Sequence, residues 1–194
     1  MIFYHQNAFL GDFIENIIHN NGWNVLFFYA HCHQIHLQTL WYNRNMSVFR
    51  FICPIEIRYS DLDPQWHVNH ARFISYLEQA RFRYVMDLGL FDGRSFLDFQ
   101  FIIADLHIAY LAPIHAGRPV YVAMRVTRLG NKSLDITYRI EDETGEQVFA
   151  TAETVMVIYD YRTQQTRPIS DLWREKISAF EGIPPGPTPK DKKA

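Results

Sequence analysis

The alternation of apolar and polar positions divides the chain into one long helix and a series of strands. Phe73, Ile74, Leu77, Ala80, Tyr84, Val85 and Leu88 recur every three or four positions, which predicts a helix that is apolar over a wide arc. Asn69 predicts its N-cap, because an asparagine side-chain oxygen can accept an N–H of the first turn. Val68 and Phe73 then fall at the two positions of a hydrophobic staple, and His70 becomes the first helical residue. Gly89 is a natural stop just beyond the last periodic position. Around this helix the period drops to two. Phe49 to Tyr59 reads as a strand with Phe49, Phe51 and Cys53 on one face, interrupted by Pro54, which marks an edge, a bulge or the strand start. After the helix, Phe101–Ala112 places Ile102, Ala104, Leu106, Ile108 and Tyr110 on one face. Val120–Arg128, Ser133–Glu141 and Val148–Tyr159 follow, separated by turn signals at Gly130–Asn131 and Glu143–Thr144–Gly145. Such alternation marks antiparallel strands covered on one face. The order predicts an α+β domain with one helix packed on one antiparallel sheet.

The flanks differ from this domain. Residues 1–45 hold three formal charges (Asp12, Glu15, Arg44), no lysine and five of the nine histidines, and sustain no clear period. The segment is either an added arm that packs on the domain or the product of a start assigned upstream of Met46, and Met46 favours the second. Its run His31, Cys32, His33, His36 has a spacing that matches no paired-ligand zinc signature, so no metal is expected. The domain occupies residues 46–167. A short helix is expected within 168–182, from Leu172 to Phe180 with Ser170 as cap, and a Pro-, Gly- and Lys-rich tail over 183–194 reads as disordered.

Composition excludes more than it assigns. Net charge −2 and 48% apolar residues give no reason to expect nucleic acid as a partner. The apolar run Val25–Ala30 is too short to span a bilayer, and the N-terminus lacks the basic patch of a secretion signal. Two cysteines without a CxxC, Cys32 and Cys53, fit a reducing compartment, and the chain is read as cytoplasmic. There is no G-x-S-x-G elbow, H-E-x-x-H, P-loop or G-x-G-x-x-G.

What remains is the loop ahead of the helix. Asp63 precedes Pro64, which pushes it into extended backbone, and the chain then turns into the helix. The His70 N–H, at the positive end of the helix dipole, has no intrahelical acceptor. A carboxylate held beside such an amide can attack a carbonyl, or activate water, while the amide takes the oxyanion. The plainer reading is that Asp63 caps a turn. Asp61 reads as structural, bonding backbone N–H groups. His67 is either a general base or a histidine bonded to backbone. Glu78 can pair with Arg81 at i,i+3.

The loop DLDPQWHVNH and the helix run YLEQAR resemble those of hotdog-fold acyl-CoA thioesterases of the 4-hydroxybenzoyl-CoA thioesterase type, at Asp61, Asp63, His67, Val68, Asn69 and Glu78. The match departs at Trp66, where a glycine is common, and at His70, where an asparagine is common. The resemblance implies a sheet of about five strands wrapped around the central helix and hydrolysis of an acyl-CoA thioester. Asp63 and the His70 amide are then the catalytic groups, with Glu78 a second candidate carboxylate. Trp66, His67 and Asn69 would shape the acyl site. Lys132 and Ser133 match a basic turn that contacts coenzyme A phosphates, although a solvated hairpin explains them equally. No cofactor is implied. Partners are the acyl-CoA and further copies of the chain, as a homodimer or homotetramer joined along sheet edges. A non-catalytic acyl-CoA-binding protein is the alternative, kept open by Trp66. The native protein is expected to begin at Met46; an intact mass that includes residues 1–45 overturns this.

Overall fold

The computed structural model describes residues 48–95, 97 and 99–187. The expected extension, with His31, Cys32, His33 and His36, lies outside the described residues, as does the end of the tail. Six strands and two α-helices follow in the order β1 (Phe51–Ile55), α1 (His70–Asp87), β2 (Phe101–Tyr110), β3 (Val120–Leu129), β4 (Ser133–Glu141), β5 (Val148–Asp160), β6 (Gln165–Thr166) and α2 (Asp171–Glu181). The sheet runs β1-β3-β4-β5-β2, with the short β6 paired to the end of β5, and every pairing is antiparallel. Helix α1 buries Phe73, Leu77, Ala80, Tyr84 and Val85 in one core with Val122, Met124, Leu134, Ile136, Tyr138 and Met156 of the sheet. This is the hotdog arrangement. Among the described residues no helix is long and apolar enough to cross a membrane.

Local signals place α1. The Asn69 side chain accepts from the Ala71 N–H at 3.0 Å, and Val68 and Phe73 are both buried. At the far end Gly89 takes φ 61°, its N–H bonds Met86 O at 2.9 Å, and Leu90 N–H bonds Val85 O at 2.8 Å. That paired closure is a Schellman motif, and it requires the left-handed residue glycine supplies. Lys176 of α2 adds its ammonium to the Leu88 and Gly89 carbonyls, where a helix dipole favours a cation.

Two expectations need correction. The first strand is shorter than expected: it ends at Ile55, and Tyr59–Asp61 form a 3₁₀ turn that redirects the chain. Pro54 is tolerated because β1 lies at an edge of the sheet, opposite Tyr121. In β2 the register shifts between Ile103 and Asp105. One extra residue flips the side-chain phase, so Phe101 rather than Ile102 is buried, while Leu106 and Ile108 keep the expected face. Beyond α2 the described chain continues to Pro187. Arg174, buried on α2, donates to the carbonyls of Gly130, Asn131, Ile169 and Pro185. Gly186 (φ 75°) lies so close to the Leu129 carbonyl that a Cβ there would come within 2.1 Å of its oxygen.

Helix α2 is also fastened by a buried carboxylate. The β3 register shifts between Val126 and Arg128, and Glu181 Oε1 accepts from the Val126 N–H at 3.0 Å and from the Tyr84 hydroxyl at 2.8 Å. Burial pushes the Glu181 carboxyl up from its ordinary value, against the pull of those two bonds and of Arg125 and Arg50. A carboxyl raised in the folded state favours folding while protonated, and that contribution is lost as pH rises through the folded pKa. Glu181→Gln keeps the acceptor without the charge. It is expected to raise the melting temperature at about pH 8, with a gain that shrinks towards about pH 4. Thermal melts across that range check this; a uniform loss at every pH contradicts it.

Candidate active site around Asp63

The loop ahead of α1 is a miniature ladder. Asn69 N–H bonds Asp61 O at 2.8 Å, Leu62 bridges Val68, and Asp63 N–H bonds His67 O at 2.8 Å. Asp61 fixes its base. One carboxylate oxygen accepts from the Arg58 N–H (3.0 Å) and the Tyr76 hydroxyl (3.1 Å), and the other lies 3.5 Å from the Arg72 guanidinium. Burial, then the Asp61 charge and hydrogen bond, push the Tyr76 hydroxyl up, so it remains a donor. The expected structural role of Asp61 is what the geometry displays.

Asp63 sits at the turn of this ladder, half-buried. Its Oδ1 accepts from the Gln65 N–H at 2.9 Å and the His67 N–H at 3.2 Å. The turn-capping role is therefore real, and it also pins the carboxylate through one oxygen. At the helix start, Asn69 engages Ala71 and Arg72, leaving the His70 N–H without a partner among the described residues. The His70 ring is exposed, edge-on to Tyr110 at 6.4 Å, and its carbonyl accepts from the Tyr110 hydroxyl at 3.3 Å.

Trp66 occupies the glycine-like position literally: its φ is 61°. The left-handed region costs a side-chain-bearing residue about 1–2 kcal/mol. The loop thus keeps the backbone turn that glycine would supply and carries an indole on it, 64% exposed.

The sequence marks a turn between β2 and β3 at Pro113 and Gly117, but sequence reasoning missed the contact of that connection with the loop. Val68 N–H bonds Ile114 O at 2.8 Å, and the His67 and His115 rings meet edge to face at 4.6 Å. Tyr110 packs edge-on to Phe73 at 5.1 Å. Tyr110 ends an alternating strand and so carried a weak signal; His115 carried none, because its contact spans 48 positions of sequence.

The other expected residues do not gather here. Glu78 is exposed and lies eight residues into α1, about 12 Å from its start at 1.5 Å per residue. Its expected partner Arg81 is buried instead, donating to the Tyr138 hydroxyl at 3.4 Å. Lys132 and Ser133 stand at the opposite end of β3. That strand runs from Val120, beside the loop, to Leu129 at the turn, ten residues or roughly 30 Å away at strand rise. Lys132 Nζ there bonds Thr166 Oγ1 at 2.9 Å. Within one chain, about the length of β3 separates Lys132 from the loop that holds Asp63. Among the described residues no cluster of three or more His, Cys, Asp or Glu could hold a metal.

Relief of the Trp66 backbone is measurable. Trp66→Gly is expected to raise stability by about 0.5–1 kcal/mol, less than the full left-handed cost because glycine frees the unfolded chain. Chemical denaturation checks this, and a loss of more than about 1 kcal/mol contradicts it.

Comparison with known proteins gives the family and agrees with the fold. The family model of the thioesterase-like superfamily matches residues 57–177. The long-chain acyl-CoA thioesterase FadM of Escherichia coli K12 is 28% identical over 123 residues, 63% of this chain and 93% of that protein. A Thermus thermophilus thioesterase, crystallised with coenzyme A and zinc, is 32% identical with a TM-score of 0.62, covering 71% of this chain and 98% of its own. A predicted thioesterase from Bacillus stearothermophilus is 26% identical with a TM-score of 0.61, covering 67% and 95%. The loop, the helix it caps and strands β2 to β6 fall within the matched region, and the chain belongs to the thioesterase-like superfamily.

Proposed function

We propose that this protein hydrolyses acyl-CoA thioesters to the free acid and coenzyme A, with Asp63 as the reacting carboxylate and the His70 N–H as the oxyanion donor. The observation that supports the reading is that one loop, laddered directly to the helix start, carries both a carboxylate fixed through one oxygen and, at its end, a helix-start amide without a partner among the described residues. The acyl-CoA substrate of FadM and the coenzyme A bound to the Thermus thioesterase support the substrate class.

Two routes use the same groups. Asp63 attacks the thioester carbonyl, giving a mixed anhydride that water then cleaves, or it takes a proton from a water that attacks instead. In both, the carbonyl oxygen gains charge and the amide stabilises it. The thiolate leaves without a strong acid, because thiols ionise near pKa ~8.5. Glu78 ranks second because of its distance along α1. His67 and Asn69 act on the substrate by shaping the loop.

Assembly bears on the remaining residues. Strand β2 pairs with β5 on one side only, and its other side is open among the described residues. Antiparallel pairing of two β2 edges sets the Phe101 end of one copy beside the Tyr110 end of the other. Lys132 and Ser133 lie towards the Phe101 end, since Ser133 pairs with Val157 and Phe101 with Ile158. A homodimer of this kind carries them towards the Asp63 loop of the second copy.

Free thiol release over short, long and aromatic acyl-CoAs tests the reading. Asp63→Asn keeps an oxygen for the Gln65 and His67 N–H groups, so folding is retained while turnover falls by about 10²–10⁴-fold. Undiminished turnover removes Asp63 from the mechanism. Tight binding with no turnover of any thioester by the wild-type chain favours the non-catalytic alternative.

A further inference from the structure

The loop that holds Asp63 also holds the most conspicuous exposed aromatic pair among the described residues. Tyr59 is 83% exposed and Trp66 64% exposed, and their rings meet at 6.4 Å with 66° between planes. Large aromatic side chains left open to water at a loop are informative in a way that a scattered leucine is not. Two such rings set nearly edge to face form a corner. A third flat ring entering it stacks on one and meets the edge of the other, the two geometries aromatic rings prefer.

The position of the corner ties it to the reaction site. Trp66 N–H bonds Asp63 O at 3.0 Å, so the indole is carried by the same turn as the carboxylate. The turn needs only a left-handed residue, yet a tryptophan holds it at φ 61°. Cations border the pair. Arg58 is exposed and adjacent to Tyr59, and Arg72 reaches the Ser60 carbonyl at 3.3 Å.

Resting on the thioesterase reading, we infer that Tyr59 and Trp66 form a stacking platform for a planar ring of the substrate. An acyl-CoA offers such a ring in two places, the adenine of coenzyme A and an aromatic acyl group. The neighbouring arginines suit the phosphates that accompany adenine; closeness to Asp63 suits an acyl ring.

Four thioesters separate these sources: benzoyl-CoA, hexanoyl-CoA and the benzoyl and hexanoyl esters of N-acetylcysteamine. Trp66→Gly, whose backbone suits the turn, and Tyr59→Ser are compared with wild type. Each variant's KM changes are read relative to its change for hexanoyl N-acetylcysteamine, which has no ring. If adenine stacks, KM rises by a further factor on the order of ten for both CoA esters alone. If the acyl ring stacks, the same further rise appears for both benzoyl esters alone. Unchanged KM for all four, or an equal rise for all four, overturns the platform. If the wild-type protein cleaves none of them, the thioesterase reading falls. Calorimetric Kd values for the same ligands, read by the same pattern, then decide the platform separately.

Discussion

Asp61 places a negative charge, 7% exposed, where three segments must meet. A carboxylate in that position is costly unless its oxygens are filled. Here a backbone N–H from the exit of β1, a tyrosine hydroxyl from the second turn of α1 and a nearby guanidinium from its first turn fill them. The cost of desolvation therefore becomes a constraint on geometry. The 3₁₀ turn, the ladder from Asn69 to Asp63 and the helix start are fixed relative to one another because each contributes to solvating one side chain. The position of Asp63 is inherited from this arrangement rather than from its own contacts alone.

The opposite end of the domain uses a second buried carboxylate differently. Glu181 is solvated by an N–H freed at the β3 irregularity and by Tyr84, with the arginine charges contributing less than those bonds. Arg174 mirrors it with a buried cation whose partners are four backbone carbonyls. Between them they bind α2 and the following chain to the β3–β4 turn. The result is a domain whose turn end is tied down by α2 and the residues that follow it.

Local physics was legible in the sequence, and long-range pairing was not. Asn69, Val68, Phe73 and Gly89 announced the helix because caps, staples and stops act within a few residues. The alternation in β4 reproduced its buried set, Leu134, Ile136, Tyr138 and Ile140. In β2 the phase failed at Ile103–Asp105, because a bulge is set by the partner strand β5. Lys132 and Asp63 carried plausible chemistry each, but only topology reveals that a full strand length separates them. The Arg174 clamp on Pro185 joins residues that no local pattern connects to the β3–β4 turn. Trp66 was legible as a departure, and the structure supplies what it departs into: a glycine conformation with a side chain attached.

Among the described residues β2 is paired on one side only, which bears on making the protein. Ile103, Tyr110 and Leu111 are exposed along or beside that strand, a template for any extended chain that reaches it. During refolding from denaturant, unfolded chains can add to that template. Slow dilution, which lets domains close before they meet, favours folding, while rapid concentration of half-folded chains favours precipitate.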